Sequence, residues 1–355
     1  MSRALSPRVH GPRAFWYEWE GLRLLAIENE RIRITLWPDH GGDLIEFRHK
    51  ASDLDVLWKN PQVWPPRNGS LHQPHAGRSE FYDVFHGGWF TSLPNGFFPT
   101  EYYGAALGCH GEIQSIPWQV TDIEQNDNWV RVRLLGKSVR TPWEFSREYT
   151  LQTDALQIFW TETLRNRSNK KLPVAWLHHP GFGGPLIKGA RLITKAQTLI
   201  VPPTSRRELS QLEPDYTGPW PFAPETQTRK IRDCSLVPEA GSEAEHVIHL
   251  RDFSFGWAAL WNDERKLGFG IRWDEKHFPY AWSWASGKSG DDYPLWGDCH
   301  TVTIQPSTSP LLPFDLLVEK GEVLWVEGHD AVSTSLGAGF IADQKAIFET
   351  TFVAD

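Results

Sequence analysis

The sequence predicts an all-β fold, a large antiparallel β sandwich. Three observations support this fold class: apolar and polar residues alternate with a period of two in several segments, turn-forming residues separate those segments, and no convincing amphipathic helix occurs. A chain of 355 residues with 40% hydrophobic content can bury an extensive core. Because no shift in composition divides the chain, we expect residues 1–355 to form a single domain.

Three segments carry the clearest strand pattern. They are RIRITLW at 31–37, WVRVRLL at 129–135 and ALQIFWTETLRN at 155–166, and each has one apolar and one polar face. Runs rich in Asn, Asp and Gly, such as PDHGGD and QNDN, lie between the strands and predict turns. Residues 60–85 and 201–245 lack the alternation and predict long loops, which often carry function in a compact β protein.

Charge and hydropathy exclude several classes of partner. The formal charge of -8 comes from 36 basic and 44 acidic residues that are spread along the chain, so no basic patch favours nucleic acid. No apolar segment has the length of a membrane span or a signal peptide, and we expect a soluble, cytoplasmic protein without a membrane partner. Cys109, Cys234 and Cys299 lack the paired spacing of a zinc site or a disulfide framework and predict buried thiols.

Tryptophan is unusually frequent, with 19 copies. Large rings commonly fill wide β cores, and they also stack on the apolar faces of sugar rings while neighbouring polar groups bind the hydroxyls. For any single tryptophan the core is the better expectation. Trp89 in HGGWF and one of Trp282 or Trp284 in YAWSW, beside the polar motifs described next, are predicted to line a pocket.

Five motifs follow one another in a consistent order between residues 30 and 320. They are DHGGDLIEFRHKASDLDVLWKNP at 39–61, HGGWFTSLPNGF at 86–97, LGCHGEIQSIPWQV at 107–120, the long EFSREYT to HHPGF run at 144–182, and TVTIQPSTSP at 301–310. Each motif is weak alone, but the series resembles the galactose mutarotase superfamily, and within it the poorly characterised aldose-1-epimerase-like branch. The resemblance implies a supersandwich with a concave carbohydrate-binding face.

Two adjacent histidines stand in WLHHPGF. His179 with Phe182 matches the His-x-x-Phe element of the family, whose histidine is implied to donate a proton to the sugar ring oxygen. His178 is a further candidate for substrate contact, although alternation along a strand points it to the opposite face. His110 in HGEIQ matches the second family histidine, a catalytic or hydroxyl-binding group. Without a third nearby ligand, the adjacent pair is poor support for a metal site, and we expect no metal.

The sequence departs from the family where the catalytic base is expected. The resemblance places a glutamate on the strand that matches TVTIQPS, but this chain has Gln305, and an amide is not a useful base at neutral pH. Asp298 in WGDCH and Asp274 in RWDEKHF are the candidate replacements for this base. Alternation argues against Asp298, because it falls on the face opposite Gln305.

Further candidate sugar contacts come from the glycine-rich motifs. His86 and Asn95 lie in HGGWFTSLPNGF. Sugar-phosphate epimerases of the superfamily carry arginines in R-G-G and H-G-x-x-R, where guanidinium groups bind phosphate. This chain has His86 and Gln114 at the two arginine positions, and the candidate replacements are Arg78, or Arg206 and Arg207, on the long loops. The resemblance therefore implies an unphosphorylated substrate.

Three functions remain open from the sequence. The first is an isomerase of the aldose 1-epimerase type, which needs acid-base groups and no cofactor and acts on a small carbohydrate. The second is a non-catalytic sugar-binding protein, for which Gln305 is the best support. The third is a glycosidase or lyase, which would need two suitably placed carboxylates. A monomer and a homodimer are equally compatible with the sequence.

Overall fold

The alternating segments form strands, as predicted. In the computed structural model, which describes residues 8–65, 79–203, 210–291 and 293–343, residues along Trp129–Lys137 alternate between partly exposed and buried up to the last residue. Val130, Val132 and Leu134 are on the buried side of this strand. The same alternation holds through Trp143–Gln152, because a strand packed on one face must turn every second side chain inward.

The described chain contains 27 strands and three short α-helices. The first half contains β1 (Arg13–Trp19), β2 (Leu22–Glu28), β3 (Ile32–Trp37), β4 (Asp43–His49), β5 (Leu54–Asp55), α1 (Ser79–Val84), β6 (Trp89–Ser92), β7 (Thr100–Tyr102), β8 (Ala105–Leu107), β9 (Gln119–Gln125), β10 (Trp129–Lys137), β11 (Trp143–Gln152) and β12 (Gln157–Asn166). The second half contains β13 (Leu172–Val174), β14 (Leu177–Phe182), α2 (Gly184–Ile187), β15 (Arg191–Thr194), β16 (Thr198–Ile200), β17 (Thr217–Pro219), β18 (Phe222–Pro224), β19 (Ile231–Asp233), β20 (Glu245–Arg251), β21 (Trp257–Asn262), β22 (Leu267–Trp273), β23 (Tyr280–Ser286), β24 (Thr301–Thr303), β25 (Gln305–Ser307), α3 (Phe314–Lys320), β26 (Leu324–Val326) and β27 (Ala331–Ile341).

Two large antiparallel sheets dominate the fold. The larger sheet has 13 strands in the order β1-β2-β3-β4-β6-β14-β24-β23-β20-β16-β17, with β5 added beside β4 and β25 lying between β14 and β23. The smaller sheet has eight strands in the order β15-β21-β22-β27-β12-β11-β10-β9. Inward residues of both sheets, among them Phe47, Phe145, Phe182 and Phe269, belong to one continuous buried cluster. The sequence-based prediction of an all-β antiparallel sandwich is confirmed.

Some boundaries differ from the sequence-based expectation. Strands extend from Arg13 to Ile341, beyond the 30–320 range of the motifs, because the terminal strands complete the sheets. The segment 201–245 is not a simple loop, since it contains β17, β18 and β19. Part of the other predicted loop, residues 66–78, lies outside the described residues. Each large sheet contains strands from both halves of the chain, but a single domain over the whole chain stays a prediction.

Two further sequence expectations can be compared with the described residues. Cys109, Cys234 and Cys299 are buried thiols that form no disulfide, as expected. Among the described residues, no helix is both long enough and apolar enough to cross a membrane.

Candidate functional site

A row of side chains crosses the outer face of the larger sheet. Phe90 of β6 pairs with His179 of β14, Gln305 of β25 pairs with Trp282 of β23, and Trp282 pairs with His249 of β20. The pairs Leu177–Ser307 and Gly181–Thr303 set a register that brings His179 beside Gln305. Because directly paired residues share a face, the five side chains form one continuous row. The candidate site is built around this row.

His110 and His179 meet at one end of the row, although 69 positions separate them in the sequence. Their ring centroids are 5.1 Å apart and the rings are nearly perpendicular, at 83°. Phe90 stacks on His179 at 4.5 Å, and Phe81 of α1 lies 4.9 Å from His110. His110 follows β8 in a turn, where its backbone N–H donates to the carbonyl of Gly96 at 2.8 Å. The fold therefore brings the two predicted histidines together on one side of the sheet.

Burial keeps both imidazoles neutral near pH 7. Desolvation lowers the pKa of His179 to about 4 and holds the pKa of His110 well below its ordinary value. Ser92 Oγ donates to the carbonyl of Asn95 at 2.8 Å, so it accepts from His110 Nδ1 at 3.1 Å, and His110 Nε2 keeps a free lone pair. His179 Nδ1 is buried and has no hydrogen-bond partner among the described residues. Both imidazoles are therefore in the form that can accept a proton, and the lowered pKa makes each of them a weak base.

Gln305 offers an amide to the same space. Its Nε2 donates to Thr303 Oγ1 at 2.7 Å, and that hydroxyl also accepts from the backbone N–H of Trp284 at 2.8 Å. Its Oε1 is buried and has no hydrogen-bond partner in the described part of the chain. A buried acceptor without a partner is costly unless a ligand satisfies it. Gln305 can therefore accept a hydrogen bond from a sugar hydroxyl without removing its proton.

Glu245 is a carboxyl on this face that sequence reasoning missed. It pairs with Ser286, and along β20 it shares a face with His249, two alternations away. Its Oε1 accepts a hydrogen bond from Trp284 Nε1 at 2.6 Å. Burial raises the pKa of Glu245 to about 7, against the opposing effect of hydrogen bonds from Trp284 and Ser289. The only signal in the sequence was the alternation of EHVIHL, which does not say which neighbours β20 acquires.

Trp89 and His178 face the interior of the sandwich, away from the row, so the structure does not bring them to the candidate site. Trp89 is 1% exposed, and its Nε1 donates to His178 Nδ1 at 3.3 Å. His178 Nε2 lies 2.8 Å from Glu162 Oε2, and Arg147 binds the other oxygen of the same carboxylate. The reason is strand alternation: because Phe90 and His179 face outward, their chain neighbours face inward.

Asp298 and Asp274, the two candidate replacements for the missing base, also lie outside the row. Asp298 is exposed in the loop before β24, where its backbone N–H donates to the carbonyl of Leu295 at 2.9 Å. Asp274 is exposed in the turn after β22, and its Oδ1 accepts from the backbone N–H of Lys276 at 2.9 Å. Strand alternation could not predict the position of Asp298, because Asp298 lies in a loop and not in a strand. Neither position favours general base catalysis on a buried substrate.

The other predicted contacts have different surroundings. The Asn95 side-chain amide donates to the backbone carbonyls of Gly96, Phe98 and Gly108, so it organises the loop and its N–H groups are already used. His86 lies apart from the row, with Nε2 3.7 Å from Asp43 Oδ2. Trp282 is on the predicted face, with Nε1 donating to the carbonyl of Ser309 at 2.8 Å. Arg78, Arg206 and Arg207 lie outside the described residues.

An open cleft of about 370 Å³ lies farther along the larger sheet, lined by residues that include Arg251, Tyr280 and Glu322. Neither His110 nor His179 belongs to its wall. We place the candidate site at the histidines and not at the cleft, because two imidazoles, the Gln305 amide and the Trp282 ring meet in the row.

Solved structures with a similar fold carry names from sugar chemistry. A presumed aldose 1-epimerase from Klebsiella pneumoniae matches with a TM-score of 0.73 and 15% identity over 96% of this chain and 90% of that one. A galactose mutarotase-like protein from Clostridium acetobutylicum matches with a TM-score of 0.64 and 14% identity, over 93% of this chain and 99% of that one. A galactose mutarotase related enzyme from Lactobacillus acidophilus matches with a TM-score of 0.58 and 14% identity, over 90% of this chain and 98% of that one. At such identities the likeness establishes the fold, which is galactose mutarotase-like, and not the activity.

Sequence comparison adds a family. No curated protein matches the chain. A family model described as a domain of unknown function, DUF4432, matches residues 19–339. Because this match covers most of the chain, the protein belongs to the DUF4432 family.

Proposed function

We propose that this protein binds an unphosphorylated sugar or sugar acid on the outer face of the larger sheet and interconverts its anomers, as an isomerase of the aldose 1-epimerase type. The observation that carries the proposal is the meeting of His110 and His179 beside Gln305, in a row that also holds Trp282. The names printed for the structurally similar proteins support a carbohydrate as the ligand.

Anomer exchange requires two proton movements on neighbouring oxygens. A base takes the proton of the anomeric hydroxyl, the C1 carbonyl forms as the bond from C1 to the ring oxygen breaks, and the ring oxygen gains a proton. Rotation about the first carbon–carbon bond then lets the ring close on the other face. We assign the proton transfer to His179, which accepts the hydroxyl proton as a neutral imidazole and returns it to the ring oxygen.

This assignment differs from the role that the family resemblance implies. A histidine whose pKa is lowered to about 4 holds little imidazolium at neutral pH, so it begins the reaction as a base and not as an acid. Both oxygens that exchange the proton are bonded to C1, and one imidazole can therefore serve both. His110 Nε2 then accepts a hydrogen bond from a neighbouring hydroxyl.

The remaining groups of the row would bind and orient the sugar. The Gln305 amide hydrogen-bonds the anomeric oxygen, and the Trp282 indole supplies an apolar surface for a sugar face. Glu245 supplies a carboxyl for another hydroxyl. None of these described groups carries a positive charge, which favours a substrate without a phosphate.

A second candidate function is sugar binding without catalysis, favoured by the amide at Gln305, which cannot act as a base. A glycosidase is less well supported, because the five residues of the row include no carboxylate and hydrolysis needs a pair. Exchange NMR on a panel of aldoses and uronic acids separates the first two functions. Anomer exchange faster than the protein-free rate supports the isomerase, whereas binding without faster exchange supports the sugar-binding protein.

A further inference from the structure

A second polar cluster, separate from the row of the candidate site, lies between two glycine-rich turns. His40 and Asp43 belong to the turn that leads into β4, and His86 follows α1. One ligand atom from each residue lies within 4.8 Å of the other two, and all three residues are buried. The distance from His40 Nδ1 to Asp43 Oδ2 is 2.9 Å, and the distance from His86 Nε2 to the same oxygen is 3.7 Å.

We propose that His40, Asp43 and His86 form a binding site for one divalent transition-metal cation of the Zn²⁺ class. Imidazole nitrogens with a carboxylate oxygen are a common donor set for such ions. Metal–ligand distances of 2.0–2.1 Å in a tetrahedral site place the ligand atoms roughly 3.3 Å from one another. The separations of 2.9 and 3.7 Å from Asp43 Oδ2 lie on either side of that value, and all three ligand atoms lie within 4.8 Å of one another, so the side chains need to close in around an ion.

Unsatisfied polar atoms point to a ligand at this position. His86 Nε2, the nitrogen that faces Asp43, is buried without a hydrogen-bond partner among the described residues, and so is Asp43 Oδ1. His86 is 2% exposed and Asp43 is 1% exposed. Polar atoms buried this deeply are normally paired, because each unpaired atom costs free energy. A cation bound between the carboxylate and the imidazoles would take up the lone pair of His86 Nε2 and balance the charge of the Asp43 carboxylate.

The backbone holds the ligands in place before any ion arrives. Gly41 and Gly87 have φ values of 62° and 86°, a region that favours glycine. An added Cβ would come within 2.4 Å of the Gln114 carbonyl oxygen at Gly41 and within 2.3 Å of the Trp58 carbonyl oxygen at Gly87. The two turns are therefore seated tightly against neighbouring backbone. Preorganised ligands of this kind lose little entropy on binding a metal.

Aromatic rings surround the cluster. Trp37 stacks on His40 with a centroid distance of 4.6 Å and meets His86 edge-on at 5.5 Å. An apolar shell limits the access of water to a bound ion and strengthens its electrostatic interaction with Asp43. The nearby ammonium of Lys59 is paired with Asp55 at 3.0 Å, which offsets its repulsion of a cation.

Metal titration of the chelator-stripped full-length protein tests the proposal, with Co²⁺ as the spectroscopic probe and Zn²⁺ as the competitor. We expect one Co²⁺ per chain, the visible spectrum of a nitrogen- and oxygen-ligated ion, and displacement by Zn²⁺. His86→Ala and Asp43→Asn should each weaken Co²⁺ binding at least tenfold. His86→Phe, which removes the ligand nitrogens but keeps the bulk of the ring, should weaken it as much and serves if the smaller alanine disturbs folding. The matched control is His246→Ala, which removes a buried histidine whose nitrogens also lack partners but which lies outside the cluster.

Two results would overturn the site: no saturable binding by the wild-type protein, or equal affinity in the His86 variants and the His246 control. The binding measurement needs no sugar and no turnover. Its failure is therefore distinguishable from a failure of the proposed isomerase activity, and either can fail alone.

Discussion

His178 and His179 are neighbours in the chain but lie on opposite faces of β14. His178 is inside the sandwich, bound to Glu162 at 2.8 Å, whereas His179 is outside, stacked on Phe90 at 4.5 Å. Replacing one should therefore change stability, and replacing the other should change activity. The predictions below separate these two effects.

His179→Ala should reduce anomer exchange by about 10² to 10⁴, the usual contribution of a general acid-base group. The fold should persist, because the outward-facing imidazole makes no hydrogen bond through Nδ1 among the described residues. Polarimetry on freshly dissolved α- and β-anomers measures the rate. His246→Ala is the control, since it removes an equally buried imidazole from the inner face of β20. Full activity in His179→Ala would show that the proton transfer belongs to another group.

Gln305→Glu should raise the rate on ordinary aldoses above that of the wild-type protein. The new carboxylate would stand beside His179 and could remove the anomeric proton, which the amide cannot do. Rates for glucose, galactose and several uronic acids, compared with Gln305→Ala, distinguish a gained base from simple loss of the amide. A Gln305→Glu variant slower than Gln305→Ala on every sugar would contradict the placement of the anomeric centre at this residue.

The ionisation of Glu245 should lower the free energy of unfolding as the pH rises towards and through 7. Burial raises its folded-state pKa to about 7, so the folded protein favours the protonated form. The stabilisation is present below the ordinary pKa near 4.5 and is lost as the pH rises through about 7, by about 2 to 3 kcal/mol for such a shift. Urea unfolding at pH 5 and pH 8 measures the change. Glu245→Gln should remove most of this pH dependence, and an unchanged profile would refute the assignment.

Glu162 should have the opposite dependence on pH. Burial alone would raise its pKa, but the charge of Arg147 and the interaction with His178 outweigh burial and lower it. Its contribution to stability is therefore present above the ordinary value of 4.5 and is lost as the pH falls below it. At pH 7, Glu162→Gln should cost about 3 to 5 kcal/mol, since it leaves Arg147 buried without its counter-ion. Thermal unfolding close to that of the wild-type protein would contradict this role.

Much of the architecture could be predicted from local pattern. Alternation in 129–135 and 155–166 predicted β10 and β12, because burial of one sheet face imposes a period of two on the sequence. The same rule predicted that His178 and His179 face opposite sides. Motif order predicted that His110 and His179 belong to one site, and the structure places their rings 5.1 Å apart.

The partners of each side chain depended on which strands pair. Alternation says that Trp89 and Phe90 point to different faces, but only the register of β6 with β14 shows that Trp89 is the inward one. The sequence around Glu245 predicts only a strand. The hydrogen bond from Trp284 to its carboxyl depends on the pairing of β20 with β23, which the sequence does not show. Asp298 could not be placed by alternation because it lies in a loop.

Local hydrophobic period and motif order were enough to predict the all-β class, the phase of its strands and the identity of the two facing histidines. They could not predict that His86 leaves the sugar face for His40 and Asp43, that Glu245 has a pKa of about 7, or that His179 is neutral near pH 7. These properties required the folded chain, because desolvation and pairing depend on neighbours distant in the sequence, which only long-range strand pairing supplies.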